Sequence, residues 1–473
     1  RDGLRMVGPA ASRGEVGGSC GVRVKVLTPT PRTPTGPMAE NTAIADTICR
    51  TIDLGVTITG AALDGQDRTH LYCELLAPDD RCPGCGAAGR LRDHVHREVA
   101  DLPIVGHPTR LHLQVPRYRC ESTACDQSIF RADIDDIVAP RTQVTRRTTA
   151  WMLRRMIVDK MSVTAVAAAV GLGWDTVNTI ALSAARNLAA APERLDRVRI
   201  LGVDEHKWKH VRGQGDPSFV TVLVDLTPVV DGTGPARLLD MVAGRSKAAL
   251  KNWLDARDQA FRDRIRVVTM DGFSGYRTAT AESLDHARAV MDPFHVVHLA
   301  AEKLTRCRQR VQTDTCGHRG RSGDPLYGIR RTLLTRTRLL TDKQKTRLKT
   351  GLDAHDEHVA VAITYAIYQE LIAAYEQPNR RDGKIAMYKL LKRIRTGLPA
   401  GLAEAAQLGR SLWVRRTEIL AYFDTGASNG PVEAINGRLE HLRGIALGFR
   451  NLRHYILRSL IHSGGLAEHL HAL

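Results

Sequence analysis

From Arg197 onward, apolar residues form short runs and period-two alternations: "VRILGVDE", "SFVTVLVDL", "ARLLDMVAG", "RIRVVTMDG" and "ARAVMDPFH". Such β-branched runs, bounded by Gly, Asp and Pro, read as strands. The helical stretches "SKAALKNWLDARDQAF" and "SGYRTATAESL" fall between the later ones. Three strands in a row, then helix, strand, helix, strand and helix, predict an α/β sheet that opens with a meander. Residues 300–420 carry apolar residues at helical spacing amid many Arg and Lys and predict a helical domain. Residues 428–473 predict a closing helix pair. Upstream, residues 39–81 hold a short helix-like stretch and the strand-like "LGVTITGAAL". Residues 141–190 are Arg- and Ala-rich with helical periodicity.

A length of 473 residues suits roughly three domains of about 150 residues each. With 43% hydrophobic and 25% charged residues the chain as a whole is neither disordered nor collagen-like. The longest uncharged stretch, Met161 to Trp174, is Ala-rich with two Gly and too short for a bilayer, so no membrane span is expected. Lys and Arg exceed Asp and Glu by 17 charges. That excess favours a polyanionic partner, because each neutralised phosphate releases condensed counterions. A merely basic surface is the other reading. Residues 1–37, rich in Gly, Pro and Thr as in "TPTPRTPTGP", read as a disordered leader, with Met38 as an alternative start.

Four of the nine cysteines have metal-ligand spacing. Cys82 and Cys85 form a CxxC knuckle in "CPGCG", and Cys120 and Cys125 follow after 34 intervening residues. Two such hairpins supply four thiolates to one tetrahedral zinc, with no position left for a substrate, so the site should be structural. His94 or His96 replacing one thiolate, and four unconnected thiols, are the competing readings. Arg110, Arg117, Tyr118 and Arg119 beside the knuckle suit a DNA contact.

"MSVTAVAAAVGLGWDTVNTIALSAARN" predicts a helix-turn-helix, with Val163, Val166 and Ala167 inward and Gly171 at the turn. In the second helix Val177 and Ile180 should pack inward, and Asp175, Thr176, Asn178 and Thr179 should face a major groove. An Ala-rich helical hairpin without DNA is the alternative. Arg146, Arg147, Arg154, Arg155 and Lys160 lie upstream, where they suit phosphate contacts.

Asp204 sits late in an apolar strand, and Asp271 sits where a strand ends and a helix begins, the place where chemistry gathers in α/β sheets. Two carboxylates on neighbouring strands repel unless a divalent cation joins them. Gly430 and Pro431 open a helix with Glu433 in its first turn and Asn436 one turn on, on the same face. Three such hard oxygen ligands suit two Mg²⁺ (or Mn²⁺) ions for phosphoryl chemistry. Taken singly, each acid also fits a helix cap, a turn or a helix dipole. Glu205 should point to the opposite sheet face, and Glu440 lies about two turns after Glu433. Asp292 and His295, in "DPFHVVH", have three candidate roles: DNA contact, support of the metal site, or capping of the next helix. Trp208, among Lys207, Lys209 and His210, suits stacking on an unpaired base; a half-buried indole in a basic turn is the other reading.

These motifs together resemble the insertion-sequence transposases of the ISL-three family, DDE enzymes with an RNase H-like core. The resemblance runs through "CPGCG", "PRYRC", the helix-turn-helix, "GVDEHKWKH", "MDGFSGYR", "DPFHVVHLA" and "SNGPVEAINGRLEHLRGIALGFRN". It implies that Asp204, Asp271 and Glu433 form the acidic triad. It further implies Mg²⁺-dependent cleavage at element ends, then attack on target DNA by the freed 3′-OH. The expected order is a leader (1–37), a zinc-binding module (38–135), a helix-turn-helix domain (136–195) and the first part of the core (196–300). A helical insertion (301–420) and closing helices that complete the core (421–473) follow. Expected partners are double-stranded DNA at terminal repeats and target, and a second copy of the chain in a homodimer or higher oligomer, in the bacterial cytoplasm. The rival expectation is a transcription regulator with a non-catalytic α/β domain.

Overall fold

A computed structural model describes residues 37–209 and 218–467. The expected leader, apart from its last residue, and His210 lie outside the described residues. The chain divides into two compact units, residues up to Leu153 with Val163–Asn178, and Arg154–Ser162 with Thr179 onward.

In the first unit, helix α1 (Pro37–Cys49) precedes a five-stranded sheet of β1 (Val56–Leu63), β2 (Thr69–Leu75), β3 (Arg90–Ile104), β4 (His107–Arg119) and β5 (Ile129–Arg131). The strand order is β1-β2-β4-β3, with β5 beside β4. Only the β2–β4 pairing is parallel. Val56, Leu71, Cys73, Val99, Leu111 and Leu113 form its core, one side chain in two pointing inward as the alternation requires. Helix α2 (Arg146–Ile157) starts in this unit and ends in the second, α3 (Val163–Val170) lies within it, and α4 (Trp174–Ala190) starts in it and runs on into the second. Val163, Val166, Ala167 and Val170 bury the inner face of α3. Gly171 ends that helix with φ +62°, a conformation that favours glycine. Arg110 donates to the carbonyls of Val170 (3.2 Å) and Gly171 (2.6 Å), satisfying the end of α3.

Two expected DNA contacts are corrected here. Asn178 does not share the outward face with Thr176: Thr176 and Thr179 are exposed, whereas Asn178 is buried with Val177. The buried stripe runs through Val177, Asn178, Ala181, Leu182 and Ala185, and Asn178 lies one turn before Leu182 on it. Arg147 is committed internally. Its guanidinium pairs with Asp101, 1% exposed, through Nε (2.9 Å) and Nη2, and donates to the carbonyls of Cys49 and Arg50. Thr145 also donates to Asp101 (2.7 Å). A buried carboxylate requires such partners, and it takes Arg147 away from any phosphate.

The second unit is built on a sheet of β6 (Ile200–Lys207), β7 (Phe219–Asp225), β8 (Arg237–Ala243), β9 (Val267–Met270) and β10 (Arg288–Met291). Its order is β10-β9-β6-β7-β8, so the first strand is central. β6, β7 and β8 are an antiparallel meander, and β9 and β10 run parallel to β6. This is the RNase H-like arrangement. The short α5 (Thr227–Val230) follows β7; α6 (Lys247–Asp255), α7 (Gln259–Arg264) and α8 (Ser274–Ser283) connect the later strands. The long helix α9 (Pro293–Cys316) leads into α10 (Pro325–Gly328), α11 (Asp342–Leu352), α12 (Val359–Tyr375), α13 (Arg380–Thr396), α14 (Ala403–Val414) and α15 (Arg416–Thr425). These helices share a core around Leu304, Cys307, Val361, Leu371, Leu391 and Leu408, and the described residues between 300 and 420 contain no strand. Helices α16 (Gly430–Ile445) and α17 (Leu452–Ser463) return to the sheet. No single described helix is long and apolar enough to cross a membrane.

Gly202 marks where α16 meets β6. A Cβ there would lie 2.5 Å from Val432 Cγ2 and 2.9 Å from Leu226 Cδ1. Val432 is stiff at χ1 and cannot swing aside. Gly202→Ala should therefore cost about 1–3 kcal/mol by overpacking, read as a lower urea midpoint of the second unit. Arg147→Ala should cost about 3–5 kcal/mol in the first unit, because Asp101 is left buried and uncompensated. An unchanged unfolding midpoint for Arg147→Ala would return that residue to the surface-contact role.

Candidate functional site

The cysteine cluster forms in the first unit from the connections between β2 and β3 and between β4 and β5. Backbone turns at Cys82–Gly86 and Cys120–Cys125 bring all four Sγ atoms within 4.8 Å of one another. Cys82 and Cys125 lie 3.8 Å apart, and Cys85 and Cys120 3.6 Å. Four sulfurs about 2.3 Å from one tetrahedral zinc would be separated by about 3.8 Å, whereas a disulfide needs about 2.05 Å. Burial pushes the Cys82 thiol up, but the backbone N–H groups of Gly84 and Cys85 and the Cys120 and Cys125 thiols bring it down to about 7. The four thiols form a structural zinc site. His94 and His96 lie on β3 and are not in the cluster.

The carboxylates come from three elements of the second unit. Asp204 is the fifth residue of the central strand β6 and is buried. Its Oδ1 accepts from Glu205 N (2.8 Å), and its Oδ2 accepts from Asn436 Nδ2 (3.0 Å). Asp271 directly follows β9, and its Oδ1 accepts from Phe273 N (2.8 Å) in the turn into α8. Glu433 is exposed in the first turn of α16. Burial pushes the Asp204 carboxyl up to about 7; the negative charges of Glu433 and Asp271 push the same way, against the Glu205 N–H and His295. The three acids therefore share one electrostatic neighbourhood. Among the described residues, only the cysteine cluster brings three or more such ligand atoms within 4.8 Å of one another, so the acids stand further apart.

Sequence reading missed Asn429, which sets this geometry. It is 1% exposed. Its side chain donates to the Val203 carbonyl (3.0 Å) on β6 and accepts from Thr269 Oγ1 on β9. Its backbone N–H donates to Asp292 Oδ1 (2.7 Å). Asn is an ordinary residue before a helix, but here it does not cap α16. Asp292 also caps α9 with its other oxygen, accepting from Phe294 N (3.1 Å), one of its three expected roles. His295 Nδ1 lies 3.7 Å from Asp292 Oδ2, an ion-pair distance. Asp292, with Asp271 and Asp204, holds His295 above the usual imidazole value against burial.

Trp208 is corrected as an open stacking platform. It is 8% exposed, with its ring stacked on Tyr455 at 6.2 Å. Asp204, His206 and Trp208 share one face of the chain at alternate positions, and His206 Nε2 bonds the Tyr455 hydroxyl (2.7 Å). Helix α17 supplies Tyr455, so burial of a large indole against it wins over exposure. Trp208 still borders a cleft of about 430 Å³ with Lys209, Arg443, Leu447 and Phe449. Lys209 Nζ lies 5.9 Å from the indole, Lys207 Nζ 5.4 Å from the Phe219 ring, and the Lys207 carbonyl accepts from Arg443 (2.8 Å).

Comparison with known proteins gives the same order of parts. A zinc-finger model for the transposases of IS204, IS1001, IS1096 and IS1165 matches residues 78–125, which contain all four clustered cysteines. The helix-turn-helix model of the ISL3 transposase family matches residues 134–185. The transposase for insertion sequence element IS1557 of Mycobacterium tuberculosis is 27% identical over 343 residues, covering 67% of this chain and 71% of the relative. The transposase for IS1001 of Bordetella parapertussis is 25% identical over 410 residues, covering 82% and 90%. The ISL3 model described as a transposase matches residues 201–459, more than half of the chain and all of the region that carries Asp204, Asp271 and Glu433. The chain belongs to the ISL3 family of transposases, a DNA-binding, DNA-cutting family, and the regulator reading falls away.

Proposed function

We propose that Asp204, Asp271 and Glu433 are the catalytic acids and hold Mg²⁺ or Mn²⁺ during cleavage of element ends and strand transfer. The observation that carries this reading is Asp204, a carboxyl on the central strand raised by burial and further by both other acids, and aligned by Asn436. The donor set is all hard oxygen, which fits Mg²⁺. Asn436 Oδ1 is buried without a partner, a further oxygen beside Asp204. When bound, the metal supplies the positive charge that activates the attacking oxygen and offsets charge on the phosphate. The residues of the chain do the positioning. Asn436 fixes the Asp204 rotamer, the turn at Phe273 fixes Asp271, and the Asn429 anchor fixes the start of α16 and so Glu433.

The helix-turn-helix reads the terminal repeats through the exposed N-terminal turn of α4, with Thr176 in place of Asn178 as the base-reading side chain. Lys207 and Lys209 guide the strand toward the acids. The zinc-binding module (38–135), helix-turn-helix domain (136–195), core (196–300 and 421–473) and insertion (301–420) keep their expected bounds in this reading. The enzyme acts as a homodimer or higher oligomer on DNA in the bacterial cytoplasm, one subunit for each element end.

Asp204→Asn, Asp271→Asn and Glu433→Gln should each abolish cleavage in a single-turnover assay with terminal-repeat DNA, with end binding within about twofold of wild type, since binding belongs to other modules. A Glu433→Gln protein that cleaves at the wild-type rate contradicts the assignment. Asp204 also makes a stability prediction. Its folded carboxyl titrates near 7 and its unfolded one near 3.8, so the folded state keeps a proton that the unfolded chain releases. Its contribution to metal-free stability is full below the unfolded value and is lost as pH rises through 7. Asp204→Asn should therefore raise the metal-free Tm at pH 8 relative to wild type, and Mg²⁺ should raise the Tm of wild type more than that of the variant. Equal Mg²⁺ shifts in both would count against Asp204 as a ligand. Finally, the purified chain should carry about one zinc, and chelation should unfold the first unit while the second keeps its melting transition. A metal-free chain with the first unit folded would overturn the zinc assignment.

A further inference from the structure

Arg415 lies between the last two helices of the insertion, α14 and α15, and is buried, 9% exposed. Its Nη1 donates to the carbonyl of Gly272 (2.9 Å), the residue after Asp271. Its Nε lies 3.5 Å from Glu418 Oε1. The same Glu418 oxygen is 2.6 Å from Nε of Arg277, on α8. The segment that follows Asp271 is thus held at two points, at Gly272 in the turn and at Arg277 on α8, by one Arg–Glu pair of the insertion. Nε and Nη2 of Arg415 and Oε2 of Glu418 are buried without a hydrogen-bond partner. Burying a guanidinium with one hydrogen bond is unfavourable, so such a group persists where neighbouring charge needs it. Burial pulls the Arg415 guanidinium down, and the Glu418 and Asp271 charges oppose that.

We infer that Arg415 is a positioning residue for Asp271, by which the helical insertion sets the place of one catalytic acid. This rests on the reading of Asp271 as catalytic. Glu418 orients the guanidinium, Nη1 holds the Gly272 carbonyl, and Asp271 is presented at the sheet end by the loop so fixed. The insertion is then part of the catalytic apparatus and more than a basic surface for DNA. A displacement of an acid by about 1 Å is enough to cost on the order of 100-fold in rate, so a single tether in this loop has leverage.

The test compares full-length Arg415→Gln, Arg415→Lys and Asp271→Asn with wild type. Single-turnover cleavage of terminal-repeat DNA, end binding, and backbone hydrogen exchange in metal-free protein are measured. Arg415→Gln should slow cleavage on the order of tenfold or more with end binding within about twofold. Exchange should speed up in residues 271–277 and stay unchanged in α12 and α13. Arg415→Lys keeps the charge but not the fork, and should recover part of the rate; it carries the test if Arg415→Gln does not fold. Cleavage within about twofold of wild type in both Arg415 variants, with Asp271→Asn inactive, overturns the inference and leaves the catalytic reading intact. A rate loss accompanied by faster exchange throughout the unit, or by none in residues 271–277, also overturns it. An active Asp271→Asn removes the catalytic reading itself.

Discussion

The catalytic unit depends on one buried polar anchor, Asn429. Helix α16 reaches the sheet from the far side of a long insertion, so nothing local places it. Asn429 does so by bonding Val203 in the middle of β6, Thr269 on β9 and the cap of α9 at once. Each of these groups is buried, and leaving one unmade costs about 1–3 kcal/mol, which makes a shifted α16 unfavourable at several points together. Gly202 completes the arrangement by clearing the space that Val432 fills. The position of Glu433 is a consequence of those contacts.

The same anchor explains the electrostatics. Drawing α16 onto β6 buries Asp204 and brings Glu433 and Asn436 towards it. This concentrates negative charge around a buried carboxyl, which then favours its proton. With a hard divalent cation the same concentration becomes a binding site. The first unit follows a different logic, in which four thiolates and the Asp101–Arg147 pair hold a small sheet whose own core is modest.

Much of this was legible in the sequence because it is local. The five strands of the core, the helical stretch after residue 300 and the CxxC hairpins depend on periodicity and spacing, which neighbouring residues carry. Asp204 and Asp271 were visible because acids at the ends of apolar strands stand out. What stayed hidden depends on distant partners. Asn429 has no local mark of its role, because the groups that claim its side chain lie on β6 and β9. Arg147 reads as a phosphate contact until the buried Asp101 appears beside it. Asn178 lies one position off the expected face of α4, a difference within the reach of a helix phase error. Trp208 loses its exposure to Tyr455, 247 residues away. Arg415 gave no signal, since one Arg among many on basic helices has nothing local to mark it.

The most direct test is the position of Mn²⁺ in crystals of the full chain bound to terminal-repeat DNA, located by its anomalous scattering. Docking of α16 through Asn429 predicts Mn²⁺ about 2.1 Å from oxygens of Asp204 and of Asp271 or Glu433, with all three acids engaged and the Asn429 bonds to Val203 and Thr269 intact. Mn²⁺ held by Glu205 or Glu440 instead, or by the aspartates alone with Glu433 turned to solvent while Asn429 remains in place, would contradict it.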